Sequence, residues 1–141
     1  MATLVSVVNT QLRASSADNF NTTEPITGVG ATLETAMASA VTGAVIQDAD
    51  AIYISVECSA VSSAMGTVTC YIRPKAGTSV ADADNQLFVA STDTLAASDT
   101  WAFPIDRDLF RGLDDFDLIF EDSATGICTV RIAASVVGYK L

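Results

Sequence analysis

The sequence predicts an all-β fold, an antiparallel β-sandwich, because short segments of alternating apolar and polar residues recur along it. Successive side chains of a strand point to opposite faces, so this alternation indicates one face on a core and one face in water. Breaks rich in Ser, Gly, Asp and Asn separate the segments. Since each strand has one apolar face, a second sheet must cover it, and about eight such strands favour a jelly roll.

The clearest pattern is a pair of segments that face each other across a polar turn at residues 62–66. Apolar residues alternate from Ile52 to Ala60 in the first segment and from Val68 to Ile72 in the second. We predict that these strands are neighbours and that Tyr53 and Tyr71 lie on their outer faces. Neighbouring exposed tyrosines are enriched at protein interfaces, but they also form stabilising cross-strand pairs, and both roles stay open.

Five further strands complete the predicted sheets. One opens the chain with Leu4, Val5, Val7 and Val8, and the others cover residues 87–90, 100–105, 116–121 and 128–139. Trp101 shares its phase with Phe103 and Ile105, so we expect it to belong to the core rather than to a sugar-stacking platform.

The first 45 residues differ from the rest, although the length of 141 residues favours one domain in all. After the opening strand, residues 15–30 form a polar stretch that we interpret as a loop or an extended arm. Apolar residues at helical spacing then predict one short helix with Thr32 as its N-cap and Gly43 as its stop. We therefore expect an N-terminal strand, arm and helix over residues 1–45 and the sandwich over residues 46–141.

The composition predicts self-association, because 50% of the residues are hydrophobic and only 17% are charged. No apolar run reaches the ~20 residues that span a bilayer, so we expect the excess apolar surface in the subunit interface of an oligomer, most simply a trimer, although an unusually complete core of a monomer would also bury it. Seven basic residues against seventeen acidic ones give a net charge of −10, which argues against binding to nucleic acid or an anionic membrane. This acidity suits a basic or cation-bridged protein partner.

Little in the sequence indicates catalysis, so we predict no enzyme activity and no cofactor. The chain contains no histidine, and its serines and glycines match no nucleophile or phosphate-binding motif. Acidic pairs such as Asp106 and Asp108 fit turns better than a carboxylate pair of a glycosidase. Asp82 and Asp84 have the spacing of calcium ligands, but the central glycine and closing glutamate of an EF-hand are missing, so we prefer a solvated loop.

The three cysteines and the start of the chain favour a reducing compartment. Cys58, Cys70 and Cys128 each fall in the apolar phase of a strand, so we expect buried thiols, although two of them could pair across the sheet. The segment from Met1 to Ser16 lacks the basic and apolar stretches of a secretory signal. Both features fit assembly in a host cytoplasm.

Predicted strands rich in Thr, Ser, Ala and Val cover residues 66–74 and 125–132, and an Ala-Gly-Thr-Ser turn is predicted at residues 76–79. In these segments the stretch from Ala51 to Tyr139 resembles small virion proteins of tailed bacteriophages, in particular capsid decoration or cement proteins. The resemblance implies a non-catalytic trimer or other small oligomer on the outside of a virion that binds the major capsid protein and bridges its subunits, often through an N-terminal arm. The interface residues we expect are Leu4, Val5, Val7, Tyr53 and Tyr71.

Three other functions compete with this one. A receptor- or carbohydrate-binding head of a phage tail or fibre requires exposed aromatic residues around a groove. An enzyme on a jelly roll of the cupin type requires histidine ligands, and a major shell protein normally has a longer chain and a basic arm.

Overall fold

The computed structural model describes residues 3–19, 25–75, 86–124 and 126–140. In these residues the chain forms two antiparallel sheets and short helices, as the sequence predicts for a β-sandwich. The strands are β1 (Thr3–Asn19), β2 (Ala51–Ser63), β3 (Val68–Lys75), β4 (Leu87–Thr92), β5 (Thr100–Ile105), β6 (Asp115–Asp122) and β7 (Ile127–Lys140). The helices are α1 (Val29–Ala40) and α2 (Arg107–Phe110), and Ile46–Asp48 forms a single 3₁₀ turn.

The strands divide into a four-stranded and a three-stranded sheet. The first, sheet A, has the order β1-β7-β2-β5, and the second, sheet B, has the order β4-β3-β6. An isolated bridge between Ile26 and Leu118 adds one further pairing along β6. The prediction that β2 and β3 are neighbours is therefore wrong, because the chain crosses from sheet A to sheet B between them. Alternation identifies the buried face of a strand, but it does not select the strand's partners.

The inward faces of both sheets and one face of α1 form a single hydrophobic cluster. Ile54 of sheet A and Cys70 of sheet B, both in the predicted apolar phase, are fully buried there. Leu33 and Met37 of α1 belong to the same cluster. The core thus includes the helix that precedes the sandwich in sequence.

Helix α1 begins earlier than the sequence predicts, with Gly28 rather than Thr32 as its N-cap. Carboxylates of β6 satisfy the free amides at this end: Asp117 Oδ1 accepts from Gly28 N at 2.8 Å, and Asp115 Oδ1 accepts from Ala31 N at 3.0 Å. A Cβ on Gly30 would lie 2.8 Å from the Asp115 Cα, so glycine permits this close approach of α1 to β6. The cap comes from residues far away in sequence, which a search for local capping residues misses.

Two further predictions for the first half of the fold need correction. Strand β1 continues to Asn19 through part of the predicted loop, because its backbone pairs with β7 along nearly its whole length. Residues 15–19 of the predicted loop or arm thus belong to the edge strand of sheet A, whereas Ile26 bridges to β6 and residues 29–30 begin α1. The prediction of one helix is also incomplete: α2 follows Asp106, whose side chain accepts a hydrogen bond from Asp108 N at 3.0 Å.

Candidate functional site

The predicted interface residues do not form one surface. Tyr53 lies on the outer face of sheet A, whereas Tyr71 lies on the outer face of sheet B, because β2 and β3 belong to different sheets. Leu4 and Val5 lie in β1, where their backbones pair with Tyr139 and Gly138 of β7, and Val7 lies in the same strand at a register shift. The structure therefore offers two separate candidate surfaces on opposite sides of the sandwich.

The first candidate surface consists of two cross-strand rows on the outer face of sheet A, which we call the neutral face. Residues directly opposite each other in neighbouring strands project from the same side of a sheet. The strand register therefore gives one row of Asn9, Ser135, Tyr53 and Pro104 and a second row of Gln11, Ala133, Ser55 and Ala102. Neither row contains a charged residue. Tyr53 is the largest exposed side chain of the neutral face, with 48% of its surface accessible.

An exposed ion pair lies in the row of sheet A that follows Ser55 and Ala133, and it forms the boundary of the neutral face. Arg131 and Glu57 lie opposite each other, 3.8 Å apart, with about half of each side chain exposed. Beside them is an open groove of about 390 Å³, which the turn through Ser98 and Asp99 also lines. Ser98 has a φ of +72°, and its amide donates to the Cys58 carbonyl, so this turn is fixed to the middle of β2. Exposed pairs such as Arg131–Glu57 contribute little to stability.

The second candidate surface is an aromatic patch of Tyr71 and Phe88 on the outer face of sheet B. The two rings meet edge to face with centroids 6.5 Å apart, and Phe88 is 61% exposed. On the other side of Tyr71 lies Ile119, which is fully buried although it projects away from the core. Alternation alone does not identify Phe88 as exposed, because the register shift between Cys70 and Tyr71 changes the phase of the β3–β4 pairing.

Trp101 belongs to the core, as predicted. Its ring lies 4.5 Å from that of Phe103 and 6.2 Å from that of Phe120, measured between centroids. The indole is partly buried against the hydrophobic cluster and leaves the outer face of β5 to Ala102 and Pro104.

The three cysteines are buried and unpaired, as predicted. Burial raises the pKa of the Cys70 thiol, and burial is also the largest cause of the raised pKa of the Cys58 thiol, to which the charge of Asp99 adds. Cys58 also forms a side-chain hydrogen bond with Cys128 on the neighbouring strand β7. Thiols that stay protonated react slowly, so these side chains act as small core residues.

Three acidic residues around the start of β6 have structural partners. Asp114 accepts from the Gln47 amide at 2.9 Å, while Asp115 and Asp117 hold the start of α1. Asp82 and Asp84, the candidate calcium ligands, lie outside the described residues. Within the described ranges, no three His, Cys, Asp or Glu side chains are grouped so that they could hold a metal ion.

Asp122 fixes the end of the sandwich at which β2 passes to β3. This buried carboxylate accepts from Gly66 N at 2.8 Å and from Gly126 N at 2.6 Å, and it thereby joins two glycine-containing turns. Both turns approach each other too closely for a Cβ at either glycine.

In the part of the chain that the structure describes, no helix combines the length and the apolar character needed to cross a bilayer. The chain matches no protein-family model, no curated protein and no solved structure at a significant level of similarity.

Proposed function

We propose that this protein is a non-catalytic structural protein of a virion, which binds the outside of a capsid and stabilises it by bridging neighbouring subunits. One observation carries the proposal: a sandwich with a filled core presents an uncharged surface on each of its two outer sides. These are the neutral face of sheet A and the aromatic patch of sheet B. A protein that joins two other molecules requires two binding surfaces. Uncharged patches are unexpected on a protein with a net charge of −10, so we interpret these two as binding surfaces.

We also propose that the fold is a jelly roll, and the pairing pattern supports this. The pairs are nested along the chain: β1 pairs with β7, the Ile26 bridge with β6, β2 with β5, and β3 with β4. Nested pairs describe one long hairpin, and the side-by-side pairs β7–β2 and β6–β3 roll this hairpin into two sheets. Viral capsid proteins and lectins both use this architecture, so it is compatible with binding but does not select a partner.

The aromatic patch is the surface that we assign to the shell. Aromatic residues are enriched in the centres of protein interfaces, and Phe88 is the most exposed large apolar side chain among the described residues. The patch is bordered on one side by Glu121, which supplies part of a polar rim, and on the other side by the buried Arg73–Asp117 pair.

The thermodynamic linkage between binding and assembly determines how much this protein would stabilise the capsid. A ligand that binds only the assembled lattice stabilises it by about 2.7 kcal/mol per site when its concentration is a hundred times its Kd. Attachment through several copies increases this value, because the second contact is effectively intramolecular.

Two Phe88 variants test the assignment of the patch to the shell. Phe88→Ser removes the exposed ring, while Phe88→Tyr keeps it and serves as the matched control. In a cosedimentation assay with shells of the virus that encodes this chain, we expect the serine variant to bind at least tenfold more weakly and the tyrosine variant to bind like the unmodified protein. Equal binding by all three proteins would show that the shell contact does not involve the aromatic patch.

The edge strand β1 provides a second point of attachment to test. It lies at the end of sheet A, and an edge strand can pair with an extended segment of a partner. Deletion of residues 1–9 is expected to weaken shell binding while the fluorescence of the Trp101 core stays native. If the truncated protein binds shells as tightly as the full chain, the N-terminal segment has no part in binding.

The same patch favours one other function, a carbohydrate-binding head of a phage tail or fibre. The exposed ring of Phe88, with Glu121 beside the patch, combines a stacking surface with a polar group for sugar hydroxyls. A glycan array with the Phe88→Ser variant as control separates the two functions. Phe88-dependent glycan binding in the absence of shell binding would favour this alternative.

A further inference from the structure

We infer that the neutral face of sheet A is the surface through which two copies of this chain associate, face to face, about a two-fold axis. This inference rests on the self-association that the proposed function includes, and it names the surface and the symmetry. It also replaces the trimer that the resemblance to decoration proteins implies with a dimer or an assembly built from dimers.

Charge is the first argument, because the partner carries the same net charge of −10. Burying a carboxylate against an identical acidic protein costs both its desolvation and repulsion from the partner. Both rows of the neutral face are free of charge, whereas the outer face of sheet B carries Glu121 and the Arg73–Asp117 pair. A second copy is therefore the partner for which the neutral face is best suited, since a basic partner would gain from acidic residues that this face lacks.

Shape is the second argument. Tyr53 projects from the first row, and in the second row Ser55 lies between Ala133 and Ala102, which leaves a shallow depression. A two-fold axis between the rows would set each Tyr53 against the small residues of the other copy. Such a self-complementary patch is what an isologous contact requires. The small side chains also permit the separation of about 10 Å at which stacked sheets pack.

Area sets the expected strength. Four strands about 4.8 Å apart give a width of about 19 Å, and the two rows with one flanking row on each side extend over about 27 Å. One of these flanking rows contains the exposed Arg131–Glu57 pair, whose charges cancel and which would lie at the polar rim of the contact. Each copy would then bury about 500 Å², and the pair about 1,000 Å², which is the lower limit of a specific interface. We therefore expect dissociation in the micromolar range, within reach of sedimentation at tens of micromolar protein.

Charge substitutions at the centre of the face test the inference. In Ser55→Glu and Ser55→Lys, two like charges are buried close to the two-fold axis and a longer side chain fills the depression opposite Tyr53, so each variant alone is expected to have a Kd for self-association at least tenfold higher. A mixture of the two variants should regain part of the association, because the two buried charges then have opposite signs. Ser91→Glu, an exposed position on β4 of sheet B, adds the same charge elsewhere and should leave the mass unchanged.

The possible results are distinct. Sedimentation of the unmodified protein as an even-numbered oligomer, with loss in both Ser55 variants and recovery in the mixture, supports the inference, provided that the urea midpoints show folded protein. An unmodified trimer, or an oligomer that both Ser55 variants retain, overturns the inference and leaves the proposed function standing. An unmodified monomer overturns both the inference and the self-association on which it rests, while shell binding measured separately still decides the proposed function.

Discussion

The buried ion pair between Arg73 and Asp117 should contribute strongly to stability. It joins β3 to β6, and Asp117 also holds the first turn of α1, so one carboxylate connects sheet B to the helix. The side chains are 14% and 1% exposed, and Arg73 Nη2 lies 3.0 Å from Asp117 Oδ2. Removal of one partner leaves a nearly desolvated charge, which costs about 3–5 kcal/mol for a buried pair.

A double-mutant cycle isolates the interaction. Asp117→Asn keeps an oxygen that can accept from the Gly28 amide, and Arg73→Met keeps most of the apolar stem. We expect each single variant to lose about 3 kcal/mol in its free energy of unfolding. The double variant should lose less than the sum by about 1.5–3 kcal/mol, the range for hydrogen bonds to charged groups.

Urea unfolding followed by the fluorescence of Trp101, the only tryptophan, measures these differences. The exposed pair of Arg131 and Glu57 provides the matched control, because its atoms are 3.8 Å apart and its side chains are 52% and 55% exposed. The cycle of Arg131→Met and Glu57→Gln should give a coupling below about 0.5 kcal/mol. Equal couplings in the two cycles would refute the argument that burial decides the strength of these pairs.

Four further predictions concern stability and the thiols. Gly30→Ala should lower the free energy of unfolding by about 1–3 kcal/mol, because its Cβ meets the backbone of β6, and urea unfolding measures the loss. Asp122→Ala should cost at least about 2 kcal/mol, since two amide donors lose their acceptor, whereas Asp122→Asn should cost less. Titration should find three thiols in the unfolded, unreduced protein and almost none in the native protein; fewer than three would reveal a disulfide. Because the folded-state pKa values of Cys58 and Cys70 are raised, stability should fall as the pH rises above 9.0, where the unfolded thiols ionise.

In β2, β3 and β5, alternation was sufficient to predict which side chains face the core. It placed Ile54, Cys70 and Phe103 inside and Tyr53 outside, because the period of two is a property of each strand alone. It could not assign partners to β2, since a strand with one apolar face fits beside any other strand of that kind. The neutral face depends on these partners, and no single segment of the sequence contains it.

Long-range contacts explain the other differences. Helix α1 begins before its predicted start at Thr32, because Asp115 and Asp117 of β6 accept hydrogen bonds from the amides at this end. Strand β1 reaches Asn19 through a polar segment because its backbone has a partner in β7. Neither feature leaves a local signal, whereas Asp106 before α2 is a local cap that the sequence contained but that was interpreted as a turn.

The decisive measurement is the disassembly temperature of empty shells with and without this protein. If the protein bridges capsid subunits from outside, shells saturated with it should disassemble at a higher temperature, and the protein should sediment with them in a fixed ratio to the capsid subunit. The Phe88→Ser variant should lose both effects. Shells that neither bind the unmodified protein at tens of micromolar nor gain thermal stability from it would contradict the proposed function.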